Sequence, residues 1–310
     1  MSADTRSSRA VLERVLLLRT FAPFADLAPA HLAAMAEMAE DRYFPAGAEL
    51  QPEGTPVRDV HYIISGDVEI RRAGKVIHTL GARSVIGGLA ALAQERNAAQ
   101  VVATSDVTTF AFTQEDQRDV FEDDFEILVR VMRSVARGFL SARRAAGADG
   151  GFQPDDESAP PPRAPLGLVD KLAFLRRTGP YNEARIEAVA ELARESPEVR
   201  LPAGTELWRE GDPSGSSLIM VSGVVAGSAD QGRQRFRFST GSVVGGLDSL
   251  AAVPRWFDAV AATDVVAIQV NYGVLLDLLE DHTEMALDLL RVMASNVLAL
   301  RERLGADSAA

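Results

Sequence analysis

Ser84–Ala99, SVIGGLAALAQERNAA, and Ser242–Phe257, SVVGGLDSLAAVPRWF, are two versions of one pattern. Each opens on a hydroxyl and two apolar residues, runs through a Gly-Gly pair and a Leu, and continues as a short amphipathic turn. The stretches upstream repeat as well. FPAGAELQPEG from Phe44 matches LPAGTELWREG from Leu201, and YIISGDVEI from Tyr62 matches IMVSGVVAG from Ile219. Gly47, Gly54 and Gly66 recur as Gly204, Gly211 and Gly223, each 157 positions later (204 − 47, 211 − 54, 223 − 66). After one extra residue, Gly87, Gly88 and Asp106 recur as Gly245, Gly246 and Asp264 at an offset of 158 (245 − 87, 246 − 88, 264 − 106). A register held this long makes the chain two copies of one domain.

Within each copy, short apolar or alternating runs are punctuated by Pro-Ala-Gly, Glu-Gly and Ser-Gly turns. This predicts two tandem antiparallel β-rolls of jelly-roll type, each flanked by helices, an α+β class. Leu32, Met35 and Met38 keep helical spacing before the first roll. Phe125, Leu128, Met132, Val135 and Phe139 do so after it, at intervals of 3 and 4. Leu290, Met293, Val297, Leu300 and Leu304 repeat those intervals near the chain end, with Asp288, Arg291, Arg301, Glu302 and Arg303 flanking them. Such a stripe packs back on its own roll or pairs with a second copy, and the expectation is a dimer seam. The predicted division is a first domain over 1–145, a flexible Gly, Pro and acid-rich linker over 146–166, and a second domain over 167–310.

Length and composition agree. A chain of 310 residues, 47% hydrophobic and 25% charged, suits two soluble domains. A net charge of −12 with no basic face argues against a nucleic-acid partner. The apolar run Val15–Leu18, between Arg14 and Arg19, is too short for an export signal or a membrane span, so no membrane partner is expected and the cytoplasm is the simplest address. The absence of cysteine removes disulfides, thiolate metal sites and a thiol nucleophile together.

The order of helix, Gly-punctuated roll and helices, with PAG, EG, YIISGDVEI and GGLAAL in sequence, resembles the cyclic nucleotide-binding domain family over both halves. In that family a cassette reading Phe-Gly-Glu-Leu-Ala-Leu-Leu is followed by Pro-Arg-Ala-Ala, the Glu taking the ribose hydroxyl and the Arg the cyclic phosphate. Carried over by position, the Glu becomes Gly88 in the first copy and Gly246 in the second. The Arg becomes Asn97, with Arg96 beside it, in the first copy and remains Arg255 in the second.

The resemblance makes Gly87, Gly88, Leu89, Arg96 and Asn97, and Gly245, Gly246, Leu247 and Arg255, the candidate ligand residues of two degenerate cassettes. A charge-assisted hydrogen bond is worth about 1.5–3 kcal/mol, so a copy lacking both anchors should hold little nucleotide. In the second copy Trp256 and Phe257 stand where small residues belong and are bulky enough to fill the cleft. Asp248 could satisfy Arg255 without any ligand. The expectation is no cofactor, with cAMP or cGMP in the second domain as the alternative.

Other chemistry is weaker. His31, His61, His78 and His282 show no metal-ligand spacing, and no nucleophile elbow, phosphate loop or carboxylate pair sits in a suitable context, so neither a metal nor catalysis is expected. Only 30 residues follow Glu280 (310 − 280), and they read as one helix and a tail, which leaves no room for the helix-turn-helix that transcription factors of the family carry. Two readings remain. One is a regulatory or scaffolding protein that acts on an unidentified protein partner through its helices. The other is a sensor of a cyclic nucleotide or other small anion through Arg255.

Overall fold

Turn glycines at matching positions fix where each strand of the two copies reverses, and the two copies close in the same way. The computed structural model describes residues 3–146, 162, 164–178, 181, 182 and 184–307. The chain divides into two units, Met1–Ser134 and Val135–Ala310.

In the first unit α1 (Ala3–Leu18) and α2 (Pro29–Met38) lead into β1 (Glu40–Phe44), β2 (Glu49–Gln51), β3 (Asp59–Ser65), β4 (Val68–Arg72), β5 (Lys75–Leu80) and β6 (Val85–Ile86). Then come α3 (Gly88–Ala93), β7 (Gln100–Ala103), β8 (Val107–Thr113), α4 (Gln114–Asp123) and α5 (Phe125–Ala146), which runs across the unit boundary. The second unit continues with α6 (Leu168–Leu175), α7 (Ile186–Glu195), β9 (Glu198–Leu201), β10 (Glu206–Trp208), β11 (Ser216–Ser222), β12 (Val225–Ala229) and β13 (Gln234–Phe238). It closes with β14 (Val243–Val244), α8 (Gly246–Ala251), β15 (Asp258–Ala261), β16 (Val265–Asn271), α9 (Tyr272–Asp281) and α10 (Thr283–Asp307).

Each unit builds two four-stranded sheets. The orders are β1-β8-β3-β6 and β2-β7-β4-β5 in the first, and β9-β16-β11-β14 and β10-β15-β12-β13 in the second. Every pairing is antiparallel, and strand for strand the two topologies coincide.

The repeat extends to individual hydrogen bonds. The amide of Gly47 donates to Ala103 O and that of Gly204 to Ala261 O, both at 2.8 Å, and the amides of Gly54 and Gly211 reach Asn97 O and Arg255 O at the same distance. The extra residue of the second copy lies in a hairpin. β12 and β13 join through Asp230–Arg233, β4 and β5 through Ala73 and Gly74, and a one-residue bulge beside Ile70 and Arg71 offsets part of the difference.

Burial follows from the layering. Val60, His61, Tyr62 and Ile63 of β3 are consecutive and all buried, as are Leu218–Ser222 of β11. A strand buried on successive residues is covered on both faces. One side of β3 meets Leu50, Val68, Ile86, Val101, Ala103 and Val107 through Ile63. On Tyr62 the rings of Phe21, Phe24 and Phe112 gather, with centroids 5.0–5.5 Å away.

The stripe read as a dimer seam is covered within the chain. Leu290, Met293, Val297 and Leu300 are 1–4% exposed within the single chain, and only Leu304 is partly accessible. The stripe packs on its own unit, as an amphipathic helix does when a roll offers it a surface. The division into compact units lies within α5, between Ser134 and Val135, and Val135, Ala136, Phe139 and Leu140 of that helix are buried. Residues 147–161 and 163 of the linker read from the sequence lie outside the described residues. Among the described residues no helix is long and apolar enough to cross a membrane.

Gly223 carries a φ of +84°, and a Cβ built on it would run into the carbonyl of Asp264, whereas Gly204, at +86°, has open space around it. Gly204→Ala is therefore expected to cost only the left-handed backbone penalty, about 1–2 kcal/mol. Gly223→Ala adds a backbone clash and should cost roughly 2–4 kcal/mol. Thermal unfolding of the two variants checks the ordering.

Candidate functional site

The Gly-Gly pairs do the same local work in both copies. Gly87 and Gly245 sit at φ +78° and +75°, each capping a six-residue helix, α3 or α8. Around that shared frame the side chains differ, and the second copy is the more elaborate.

Arg255 follows Pro254 at the entrance to β15 and is 4% exposed. Its guanidinium donates to Gly245 O at 2.8 Å and to Ser216 O at 2.6 Å. It also lies over the Trp208 ring, 4.0 Å from the centroid. The missing side chain of Gly245 makes this possible, since a Cβ there would collide with the guanidinium and touch Trp208. Two charge-assisted hydrogen bonds and a desolvated cation–π contact are each worth about 1.5–3 kcal/mol and about 2 kcal/mol respectively.

Asp248, on α8, is 1% exposed and places a carboxylate oxygen 3.6 Å from Arg255 Nη1, an ion pair longer than a hydrogen bond. Burial pushes its carboxyl up from 3.8 to about 6, against the opposing pull of Arg255. Burial likewise lowers the Arg255 guanidinium, against the pull of Asp248.

Next to this pair, five rings form one cluster. Phe236 stacks on Trp256 at 5.2 Å and meets Phe257 edge-on at 5.1 Å. Phe238 lies 5.7 Å from both Phe236 and Phe257, and Trp208 meets Phe257 at 5.6 Å. Phe236, Phe238, Trp256 and Phe257 are all at most 6% exposed. Phe236 projects over Gly227, where a Cβ would overlap its ring. The C-terminal half of α5 closes over this region, Arg144 lying 5.8 Å from the Trp256 centroid and Arg137 donating to Ala251 O at 2.9 Å.

The first copy holds different groups on the same frame. Asn97 occupies the backbone position of Arg255, and its side-chain amide makes long contacts to Pro52 O and Thr55 Oγ1, 3.4 and 3.5 Å. Arg96 is exposed and donates to Gly54 O at 2.9 Å, so it does not stand in for Arg255. Gln51 takes the place of Trp208, lies against Gly87 and donates to Asp59 O at 3.0 Å. Ala98 and Ala99 replace Trp256 and Phe257, and the exposed His78 replaces Phe236. Gly88 and Leu89 lie on α3, and Gly246 and Leu247 on α8.

Sequence reasoning reached Arg255, Asp248, Trp256 and Phe257, but not Trp208, Phe236, Phe238 or Gln51. The signal for Trp208 was in the repeat, where Gln51 and Trp208 are equivalent. Among the described residues no group of three or more His or acidic side chains is placed to hold a metal ion. His61 Nδ1 lies 3.1 Å from Thr109 Oγ1 instead.

The family model described as the cyclic nucleotide-binding domain matches residues 41–124 and 198–282, together more than half of the chain. A curated relative, the CRP-like cAMP-activated global transcriptional regulator of Mycobacterium tuberculosis, is 29% identical over 125 residues, 39% of this chain and 56% of the relative. The match thus spans little more than half of that protein's length. Among solved structures, the regulatory subunit of a cAMP-independent protein kinase A from Trypanosoma brucei covers 98% of this chain, and 90% of that chain is covered in turn, at 17% identity and a TM-score of 0.35. A cyclic nucleotide-binding-like protein from Brucella abortus is 26% identical over 36% of this chain and 98% of that one, with a TM-score of 0.32.

Two outcomes test the pair. Arg255→Ala removes the nearest opposite charge from buried Asp248 along with the guanidinium's own contacts, and is expected to destabilise the second unit by about 3–5 kcal/mol in urea unfolding at pH 8, where the carboxyl is ionised. The pH dependence has a definite sign. Folding raises the Asp248 carboxyl from 3.8 to about 6, so the folded state holds that proton more tightly. Its contribution to stability is full below about pH 4 and is lost as pH rises through about 6. Asp248→Asn should flatten the fall in unfolding midpoint across that window, and an unchanged slope would contradict the assignment.

Proposed function

The chain belongs to the cyclic nucleotide-binding domain family, and from that premise we propose that it is a non-catalytic regulatory protein. In this reading its clefts have largely given up nucleotide and it acts through contacts with a protein partner. The observation that carries the reading is the occupation of Arg255. The cation that would meet a cyclic phosphate is already bonded to Gly245 O and Ser216 O and stacked on Trp208.

Magnitudes favour this reading over a sensor. Trp256 and Phe257, the two residues after Arg255, are buried rings, and in this reading a nucleotide seated on Arg255 has to move them. Re-exposing each costs about 4–6 kcal/mol, taking 150–250 Å² per ring at about 25 cal/mol per Å². Their sum matches or exceeds the whole binding free energy of a micromolar ligand, about 8 kcal/mol. The first copy has small residues at the equivalent positions, Ala98 and Ala99, but offers Asn97 and Gly88 where the family has its charged anchors. The two copies therefore differ in what they lack, open space beside Arg255 in the second and the charged anchors in the first.

The alternative is that the second domain senses a cyclic nucleotide, as the name of the mycobacterial relative says of that protein. Thermal unfolding and calorimetry of the full chain with cAMP and cGMP separate the two. At a ligand concentration 100 times its dissociation constant, binding stabilises a protein by about 2.7 kcal/mol. The expected result at millimolar nucleotide is no saturable heat and no shift of the midpoint. Saturable binding that Arg255→Ala removes would replace this reading with the sensor.

A further inference from the structure

A cavity of about 270 Å³ opens in the second unit, with β11 and β16 on one side and α8, α9, α10 and the C-terminal half of α5 on the others. Leu250, Leu275, Leu289 and Met293 make much of its wall apolar. Neither Arg255 nor Trp256 lines it, yet it belongs to the second cassette, because Gly246 and Leu247 do. A Cβ built on Gly246 would lie 2.9 Å from Val243 Cγ1 and 3.8 Å from Ser217 Cβ, and both of those residues border the cavity. The position where the family has its Glu thus opens onto this space.

Two buried hydroxyls on this wall have nothing to bond to. Tyr181 is 4% and Ser217 7% exposed, both line the cavity, and among the described residues neither side chain makes a hydrogen bond. Burial alone pushes the Tyr181 hydroxyl up to about 12. Ser249, which also lines the cavity, shows the ordinary condition, its hydroxyl donating to Ser216 O at 3.2 Å and to Gly245 O at 3.0 Å. Buried polar side chains are nearly always paired, so two that are not, at one cavity, point to a ligand.

Size and charge narrow the class. Protein interiors seldom leave voids larger than a water molecule, and an apolar cavity of about 150 Å³ already accepts benzene, so this one has room for a body of about two rings. Among the described residues no acid, lysine or histidine lines it. Arg143 does, but its guanidinium lies 4.8 Å from the centroid of the Phe139 ring and has a further partner. A charged group would therefore enter without a free counter-charge. A hydroxyl both gives and takes hydrogen bonds, so Tyr181 and Ser217 suit a neutral hydroxyl or carbonyl oxygen.

We propose that this cavity binds an uncharged, mostly apolar molecule of about two rings, held through one oxygen by the hydroxyls of Tyr181 and Ser217. Resting on the reading that the second cassette no longer serves a nucleotide, this ligand meets the cassette's own helix, α8, through Gly246 and Leu247.

The probes 2-naphthol, naphthalene and 2-naphthoate test it on the full chain at pH 7, within their solubilities. Calorimetry should show one saturable 2-naphthol site per chain, about fivefold or more tighter than naphthalene, the worth of one hydrogen bond between neutral groups. The anion 2-naphthoate should bind most weakly. Tyr181→Phe combined with Ser217→Ala should bring 2-naphthol down to the level of naphthalene and leave naphthalene unchanged. Since it deletes only unpaired hydroxyls, that double variant should not lower the unfolding midpoint. Methyl NMR, with Met293 assigned through Met293→Leu, should show its signal move on 2-naphthol addition. No saturable 2-naphthol binding, no preference over naphthalene, 2-naphthoate bound as tightly, a preference or a lowered midpoint in the double variant, or a Met293 signal that does not respond would each overturn the proposal. Millimolar cAMP separates it from the reading of the cleft. Saturable cAMP binding that leaves 2-naphthol in place would overturn that reading and uphold the cavity, whereas cAMP that displaces 2-naphthol would make the cavity a nucleotide site and overturn the proposal.

Discussion

The second domain is organised around one buried cation. Arg255 arrives at the mouth of a roll where a charge without partners would be untenable, and every neighbouring choice answers that constraint. Gly245 has no side chain, so its carbonyl and the guanidinium can meet at 2.8 Å. Ser216 turns a second carbonyl inward, Trp208 offers a ring face at 4.0 Å, and Asp248 supplies the opposite charge at 3.6 Å. Breaking such a buried pair costs about 3–5 kcal/mol because the remaining charge has nowhere to go. With Arg255 4% and Asp248 1% exposed, water does little to screen these contacts.

The two copies show how far one backbone frame tolerates different interiors. Topology, turn glycines and backbone hydrogen bonds coincide, down to the 2.8 Å bonds from Gly54 and Gly211 to the residue at the cassette's end. On that frame Gln51 exchanges with Trp208, Asn97 with Arg255, and Ala98 and Ala99 with Trp256 and Phe257. The exchanges are concerted. A cation needs a ring face and carbonyls, whereas an uncharged amide such as Asn97 is content with Pro52 O and Thr55 Oγ1 at longer range.

Much of this was legible in the sequence because it is written in glycine. A left-handed turn or a close backbone approach excludes most side chains, so an offset of 157 or 158 residues preserved at glycines reports shared geometry. Arg255, Asp248, Trp256 and Phe257 were legible as a self-contained group because they are close in sequence. Phe236 and Phe238 were not, since nothing local says that a hairpin returns two rings to a strand end twenty residues on. The stripe from Leu290 to Leu300 was visible at once, but periodicity shows that a helix has an apolar face and not what covers it. The same limit hid the passage of α5 from one unit into the next.

α8 is where these features meet. It is only six residues long, yet Asp248 on it faces Arg255 while Leu247 and Leu250 line the cavity beside α9 and α10. Its position is therefore held from two sides. On one the restraint is electrostatic, and it weakens or strengthens with the charge on a carboxyl that burial has brought to about 6. On the other it is packing, against a wall that is incomplete by the volume of a small molecule. Arg137 ties the helix end, through Ala251 O, to the C-terminal half of α5. A shift of α8 toward either neighbour must be accommodated by that bond or by the carbonyl of Gly245, which Arg255 already holds. Arg255 thus holds the loop that opens α8, through Gly245 O, as well as facing the carboxylate that α8 carries.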